Sequence, residues 1–94
     1  MRELVLTPKF RRAYRKTARR DQALQGRMED VLRQMQADVF DPSLGTHKLS
    51  GTLEGLWACS CGYDRRIVFA FETEQATGRE VILLLDIGTH EEVY

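Results

Sequence analysis

From Leu24 onward, Leu24, Met28, Val31, Leu32, Met35 and Val39 recur three or four positions apart, which places them on one stripe of an α-helix. Such a stripe must be buried against something else. Just upstream, Phe10, Ala13, Tyr14, Thr17 and Ala18 recur at the same spacing between Pro8 and Arg20, so a helix with its own apolar side comes first. Thr7 is a good N-cap and Pro8 suits a first helical turn, while Asp21 can cap the second helix, which should end near Asp41 and Pro42. The short link makes a helical hairpin, and the rest of the chain must supply the surface that it covers.

That surface reads as a sheet. Residues 56–61, 65–72 and 80–87 are β-like runs, joined through Gly62-Tyr63-Asp64 and through a polar turn at 75–78. Connections this short make both pairs antiparallel hairpins. Residues 3–6 form a further short strand ahead of the first helix, and 41–55, rich in turn formers, read as a loop. The expected architecture is α+β in the order β-α-α-β-β-β, with the hairpin on one face of a mainly antiparallel four-stranded sheet and residues 1–94 as one domain. In the middle run Ile67, Phe69 and Phe71 alternate with Arg66, Val68 and Ala70, so the apolar trio should face the helices and Arg66 the open side.

With 94 residues there is room for one core and none for a separate cofactor-binding domain, so any chemistry belongs on the surface. No stretch approaches the roughly 20 apolar residues of a membrane span, and the opening MRELVLTPKFRR lacks the apolar centre of a secretory signal, so a cytoplasmic protein is expected. Cys59 and Cys61 are too close for a useful disulfide and too few for a zinc set, which leaves reduced structural thiols, no metal site and no cofactor. Net charge is zero but segregated. Residues 1–37 hold 10 Lys/Arg against 4 Asp/Glu, and residues 38–94 hold 4 against 10. The run Arg11, Arg12, Arg15, Lys16, Arg19, Arg20 is therefore either a solvated helix face or a surface for a polyanion.

Cleaving RNA without a metal needs a base for the 2′-hydroxyl, an acid for the leaving oxygen and positive charge at the phosphate. Suitable groups are His47 and Lys48 before the first hairpin, Asp64 at its turn, Arg65 and Arg66 in the middle run, and His90 and Tyr94 after the last. Histidine suits proton transfer near neutral pH, arginine grips a phosphate through a planar fork, and a tyrosine ring stacks on a base. The same residues have plainer readings, as solvated histidines, a structural ion pair for Arg66 with Asp64 or Asp86, and a packing role for Tyr94. Trp57 suits base stacking, packing beneath a helix or a partner interface equally.

The passage HKLSGTLEGLWACSCGYDRRIVFAFE, with His47, Leu49, Gly51 and Gly55 in its loop, and the ending ILLLDIGTHEEVY resemble the YafQ-like branch of the RelE toxins. These are mRNA interferases of bacterial type II toxin–antitoxin systems within the RelE/ParE superfamily. The likeness covers 44–94 well, and the upstream strand and helices suit the family's element order. It implies a ribosome-dependent endoribonuclease that cuts translated mRNA in the ribosomal A site by metal-free acid–base transesterification, held in a hetero-oligomer by a cognate antitoxin. It carries catalytic roles onto His47, Asp64 and His90, places Tyr94 at the family's C-terminal aromatic, and makes Arg66 a phosphate ligand. Lys48, Arg65, Arg11, Arg12 and Arg15 are then the RNA-binding residues. Some relatives carry a further sheet histidine where this chain has Ser60. Two other readings are a ParE-like toxin that binds DNA gyrase and is not a nuclease, and a non-catalytic antitoxin-binding module.

Overall fold

A computed structural model describes residues 2–94. Strand β1 (Glu3–Leu6) leads into helix α1 (Pro8–Arg20), and α2 (Gln22–Asp38) follows at once. The caps are those the sequence suggests. The Thr7 hydroxyl accepts from the Phe10 N–H at 3.2 Å, and an Asp21 carboxylate oxygen accepts from the Leu24 N–H at 3.1 Å. Asp21 also ends α1, its own N–H donating to the Thr17 carbonyl, so this one extended residue sets the bend between the helices. Among the described residues no helix is long and apolar enough to cross a membrane.

The sheet has five strands where four were expected. Within the stretch read as a loop, His47–Lys48 form a two-residue strand, β2, flanked by single 3-10 turns. Strands β3 (Trp57–Cys61), β4 (Arg65–Thr73) and β5 (Glu80–Thr89) follow, in the spatial order β1-β5-β4-β3-β2. Among the described residues only the β1–β5 pair is parallel; the helical hairpin carries the chain from the β1 edge to the β2 edge, and the antiparallel run β2 to β5 brings it back beside β1. At the β3–β4 turn Gly62 adopts φ +72°, and a Cβ there would also meet the Leu24 side chain at 3.2 Å, so both backbone and packing favour glycine.

One sheet face is covered by the helices. Phe10, Leu24, Met28, Met35 and Val39 interlock with Cys59, Cys61, Ile67, Phe69, Ile82, Leu84 and Ile87, while Trp57 and Phe71 pack at the margin. The Cys59 thiol donates to the Met35 sulfur at 3.8 Å, and burial pushes the Cys59 and Cys61 thiols up to about 12 and about 11. In β5 a bulge reconciles two demands: Val68 opposes Asp86 but Phe69 opposes Leu84, so Leu85 is an extra residue. Leu84 and Ile87, three positions apart, therefore both reach the core. The Thr7 hydroxyl donates to the Leu84 carbonyl at 2.8 Å, tying the start of α1 to the bulge.

The last strand runs to Thr89, further than expected, and the tail is not extended. His90–Val93 form a single helical turn, α3, which packs on β5 and β4.

A candidate RNA-cleaving face

In β4 the side chain of Arg66 points away from the helices, as strict alternation with Ile67 and Phe69 requires. It is half-buried, and one guanidinium N–H donates to the Arg65 carbonyl at 3.0 Å. Neither expected carboxylate partner engages it. Asp64 pairs with Arg65 at 2.8 Å, and Asp86 pairs with Lys9 at 3.3 Å. No described carboxylate lies within ion-pair distance of Arg66. A guanidinium has five N–H donors, so most of its fork is left for a ligand.

The register gathers the other groups around it. Arg66 lies between Ser60 on β3 and Gly88 on β5. Directly opposite residues share a face, so a Cβ on Gly88 would point to the Arg66 side, and there it would meet Glu92 and Val93 at 3.1 Å. Helix α3 thus folds back over the open face beside Arg66. It opens on His90 and is capped by Tyr94, and their rings meet edge to face with centroids 4.4 Å apart. Partial burial raises the Tyr94 phenol above its usual range, opposed by the nearby Arg66 charge, so the hydroxyl keeps its proton and can donate.

His47 reaches this face from the other edge. It pairs with Ala58, which pairs with Val68, putting its side chain on the Arg66 side. Its Nδ1 is 3.0 Å from the Gly45 carbonyl oxygen; because a carbonyl only accepts, Nδ1 carries the proton and Nε2 of the neutral ring is left as a base. Strands β2 and β5 are three steps apart, roughly 14 Å at about 4.8 Å per strand, so the two histidines come to the face from opposite edges, His47 in the row of Val68 and His90 just past the end of β5.

The remaining residues singled out from the sequence fall elsewhere. Lys48 opposes Trp57 and its Nζ lies 5.5 Å from that ring, on the helix-covered side away from His47. Trp57 packs edge-on against Phe71 and Phe40, which favours its packing role. Arg65 points to the helix side. Asp64 comes one step beyond the pair Arg65 and Thr89, at the same end of the sheet as His90, but bonds to Arg65 and not to a histidine. Arg11, Arg12 and Arg15 are exposed along α1, in the layer opposite the Arg66 face.

Two cations that were not singled out as ligands, Lys16 and Arg20, join Arg65, Asp86 and Glu92 around a concavity of about 250 Å³ between α1 and α3. In the sequence they stand out only as members of the basic run of α1. Among the described residues no three of the His, Cys, Asp and Glu side chains converge as metal ligands would.

No known family's sequence model matches the chain, and no curated protein sequence matches it. Solved structures do. The chain is similar to a YoeB/ParE toxin from Agrobacterium tumefaciens, at 18% identity over 94% of this chain and 98% of that one, with a TM-score of 0.76. It is similar to YafQ of E. coli in its complex with DinJ, at 10% identity over 100% and 99%, with a TM-score of 0.76. Protein HP0894 from Helicobacter pylori matches at 23% identity over the whole of both chains, with a TM-score of 0.68. Along its length, therefore, this chain has the RelE-like toxin fold.

Proposed function

We propose that the protein is the toxin of a toxin–antitoxin pair and an endoribonuclease that cuts translated mRNA in the ribosomal A site. The observation that carries this reading is the half-buried Arg66 guanidinium, free of carboxylates and flanked by His47 and by the His90–Tyr94 pair. A stabilising ion pair would have used Asp64 or Asp86, and both are engaged elsewhere. The fold shared with YafQ, solved in a toxin–antitoxin complex with DinJ, supports an antitoxin as partner.

In this reading the scissile phosphate sits on the Arg66 fork. His47 Nε2 takes the proton of the 2′-hydroxyl, the 2′-oxygen attacks phosphorus, and the bond to the 5′-oxygen breaks as His90 supplies its proton. The products are a 2′,3′-cyclic phosphate and a 5′-hydroxyl. Arg66 stabilises the charge that builds on the phosphoryl oxygens, and the Tyr94 ring and hydroxyl hold the neighbouring base. Asp64 acts through Arg65, fixing the end of β4 next to Thr89 and His90. The exposed arginines of α1 hold the ribosome or the RNA at a distance from the chemistry.

The test is translation in vitro of a defined mRNA, with 5′ ends mapped after the toxin is added. Cuts within the codon in the A site that persist in chelator, beyond the magnesium ribosomes need, are the expected result. Intact mRNA accompanied by gyrase-linked DNA breaks would instead establish the gyrase-directed reading, and neither product would leave an antitoxin-binding module.

A further inference from the structure

A single helical turn has no stability of its own, since nucleation is unfavourable and α3 has only four residues. Yet His90 opens that turn. Its position depends on what keeps the turn closed and what lets it lie on the sheet. The Thr89 hydroxyl accepts from the Glu92 N–H at 3.3 Å, and the Glu92 carboxylate accepts from the Thr89 N–H at 2.8 Å, a closed capping box around His90 and Glu91. The Tyr94 N–H donates to the His90 carbonyl at 3.0 Å. Gly88, buried in β5 with an ordinary φ, leaves the space into which Glu92 and Val93 settle; a Cβ there would lie 3.1 Å from both side chains.

We infer that Glu92 is the positioning residue of the candidate site: with Thr89 it closes the box that holds His90 beside Arg66, and Gly88 is the gap that lets the box sit on the sheet. The inference rests on the nuclease reading for its consequence but not for its geometry. The bonds from Thr89, the backbone one foremost, hold the Glu92 carboxyl below its usual range, and Arg65 and Lys16 pull the same way. Glu92 is thus an acceptor fixed on the rim between α1 and α3, and it gives the proposed reaction no proton. The sequence signature T-x-x-E fits this role, and glutamine can serve in the fourth position as well as glutamate.

The experiment compares Glu92→Ala, Glu92→Gln, Thr89→Ala, Thr89→Ser and Gly88→Ala in the intact protein by two measurements. The first is NMR of the free protein, following the His90–Tyr94 ring contact by NOE and by the ring-current shift of the His90 imidazole protons. The alanine variants should lose both signals while the core resonances stay in place; Glu92→Gln and Thr89→Ser should keep them. The second is single-turnover cleavage on programmed ribosomes alongside ribosome affinity. Misplacing His90 should slow cleavage by about 10–100-fold in Glu92→Ala with affinity nearly unchanged, and Glu92→Gln should recover most of it. In a His90→Ala background Glu92→Ala should add nothing further. If Glu92→Gln is as slow as Glu92→Ala while the ring contact survives, the carboxylate acts directly and the positioning role is wrong. Glu92→Ala that retains both the contact and the rate also overturns it. Should the wild type cleave nothing, the nuclease reading fails, while the NMR comparison still decides whether the box holds the turn.

Discussion

The two faces of the sheet solve opposite problems. On the helix side β1, β3, β4 and β5 present side chains that interlock with α1 and α2, and even the two thiols are buried and neutral. On the other side the groups able to do chemistry are fastened lightly: Arg66 by one backbone carbonyl, His47 by another, His90 by a four-residue turn. One residue of β4 separates the regimes, since Ile67 is fully buried and Arg66 next to it is a guanidinium with spare donors. Strand alternation lets one stretch of chain serve both purposes. Changes on the open face should therefore remove activity and spare the fold, and changes on the covered face should do the reverse.

The largest effects test that division directly. His90→Ala should lower single-turnover cleavage by about 10²–10⁴-fold with thermal melting unchanged. Arg66→Ala should abolish cleavage and weaken binding, while Arg66→Lys, which keeps charge but not the fork, should lose more in rate than in affinity. His47→Ala should cost less than His90→Ala, with Ser60 standing where some relatives have a further histidine. An Arg66→Ala protein that is insoluble, beside an Arg66→Lys protein that cleaves normally, would make Arg66 structural and erase the contrast.

On the covered face the counterpart is Phe69, fully buried between the sheet and the helices. Phe69→Ala should destabilise by about 3–5 kcal/mol, a large part of the whole stability of a domain this size, and urea unfolding measures it. Molecules still folded at low urea should cleave at the wild-type rate, because the ring lies in the core on the helix side of the sheet.

The thiols give a smaller effect with a definite sign. Burial raises both above the ordinary value of 9.0, so the folded state favours the neutral form. Their contribution is fully present below pH 9 and fades as pH rises toward about 11 and about 12, as the unfolded thiols ionise first. Urea midpoints between pH 8 and 10.5 should fall less steeply in a Cys59→Ala, Cys61→Ala double variant. Equal slopes would mean that the thiols titrate freely in the folded protein.

How far the two faces could be read in advance follows from how each is encoded. The covered face is written in periodicity, 3.6 along Leu24, Met28 and Met35 and 2 along Ile67 and Phe69, so helices, hairpins and the placement of Arg66 were legible. Three features were not. A two-residue strand at His47 and Lys48 carries no period, and its pairing with β3 is decided by tertiary contact. The bulge lies in an unbroken apolar run, Ile82 to Leu85, where no alternation marks the extra residue. The turn α3 did have a local signal, Thr89 followed three residues later by Glu92, but no apolar run after it to suggest a helix. The freedom of Arg66 was beyond any sequence reading, because it depends on Asp86 meeting Lys9 and Asp64 meeting Arg65.

The smallest predicted effect is the sharpest on the division itself. His47 and Lys48 are neighbours in a strand of two, so the pleat sends them to opposite faces. Lys48 then lies over Trp57, on the face away from Arg66, which gives it no part in holding a phosphate there on this division of the faces. Each phosphate contact adds about 0.7 to the slope of log affinity against log salt for single-stranded RNA. Arg66→Ala should flatten that slope by about this amount, and Lys48→Ala should leave it parallel to wild type and cleavage within about twofold. The measurement is affinity for a short single-stranded RNA at several salt concentrations, with cleavage of the same RNA followed in parallel. If Lys48→Ala flattens the slope as Arg66→Ala does, the aromatic edge belongs to the RNA surface, the ligand wraps around β2, and the faces are not separate in function.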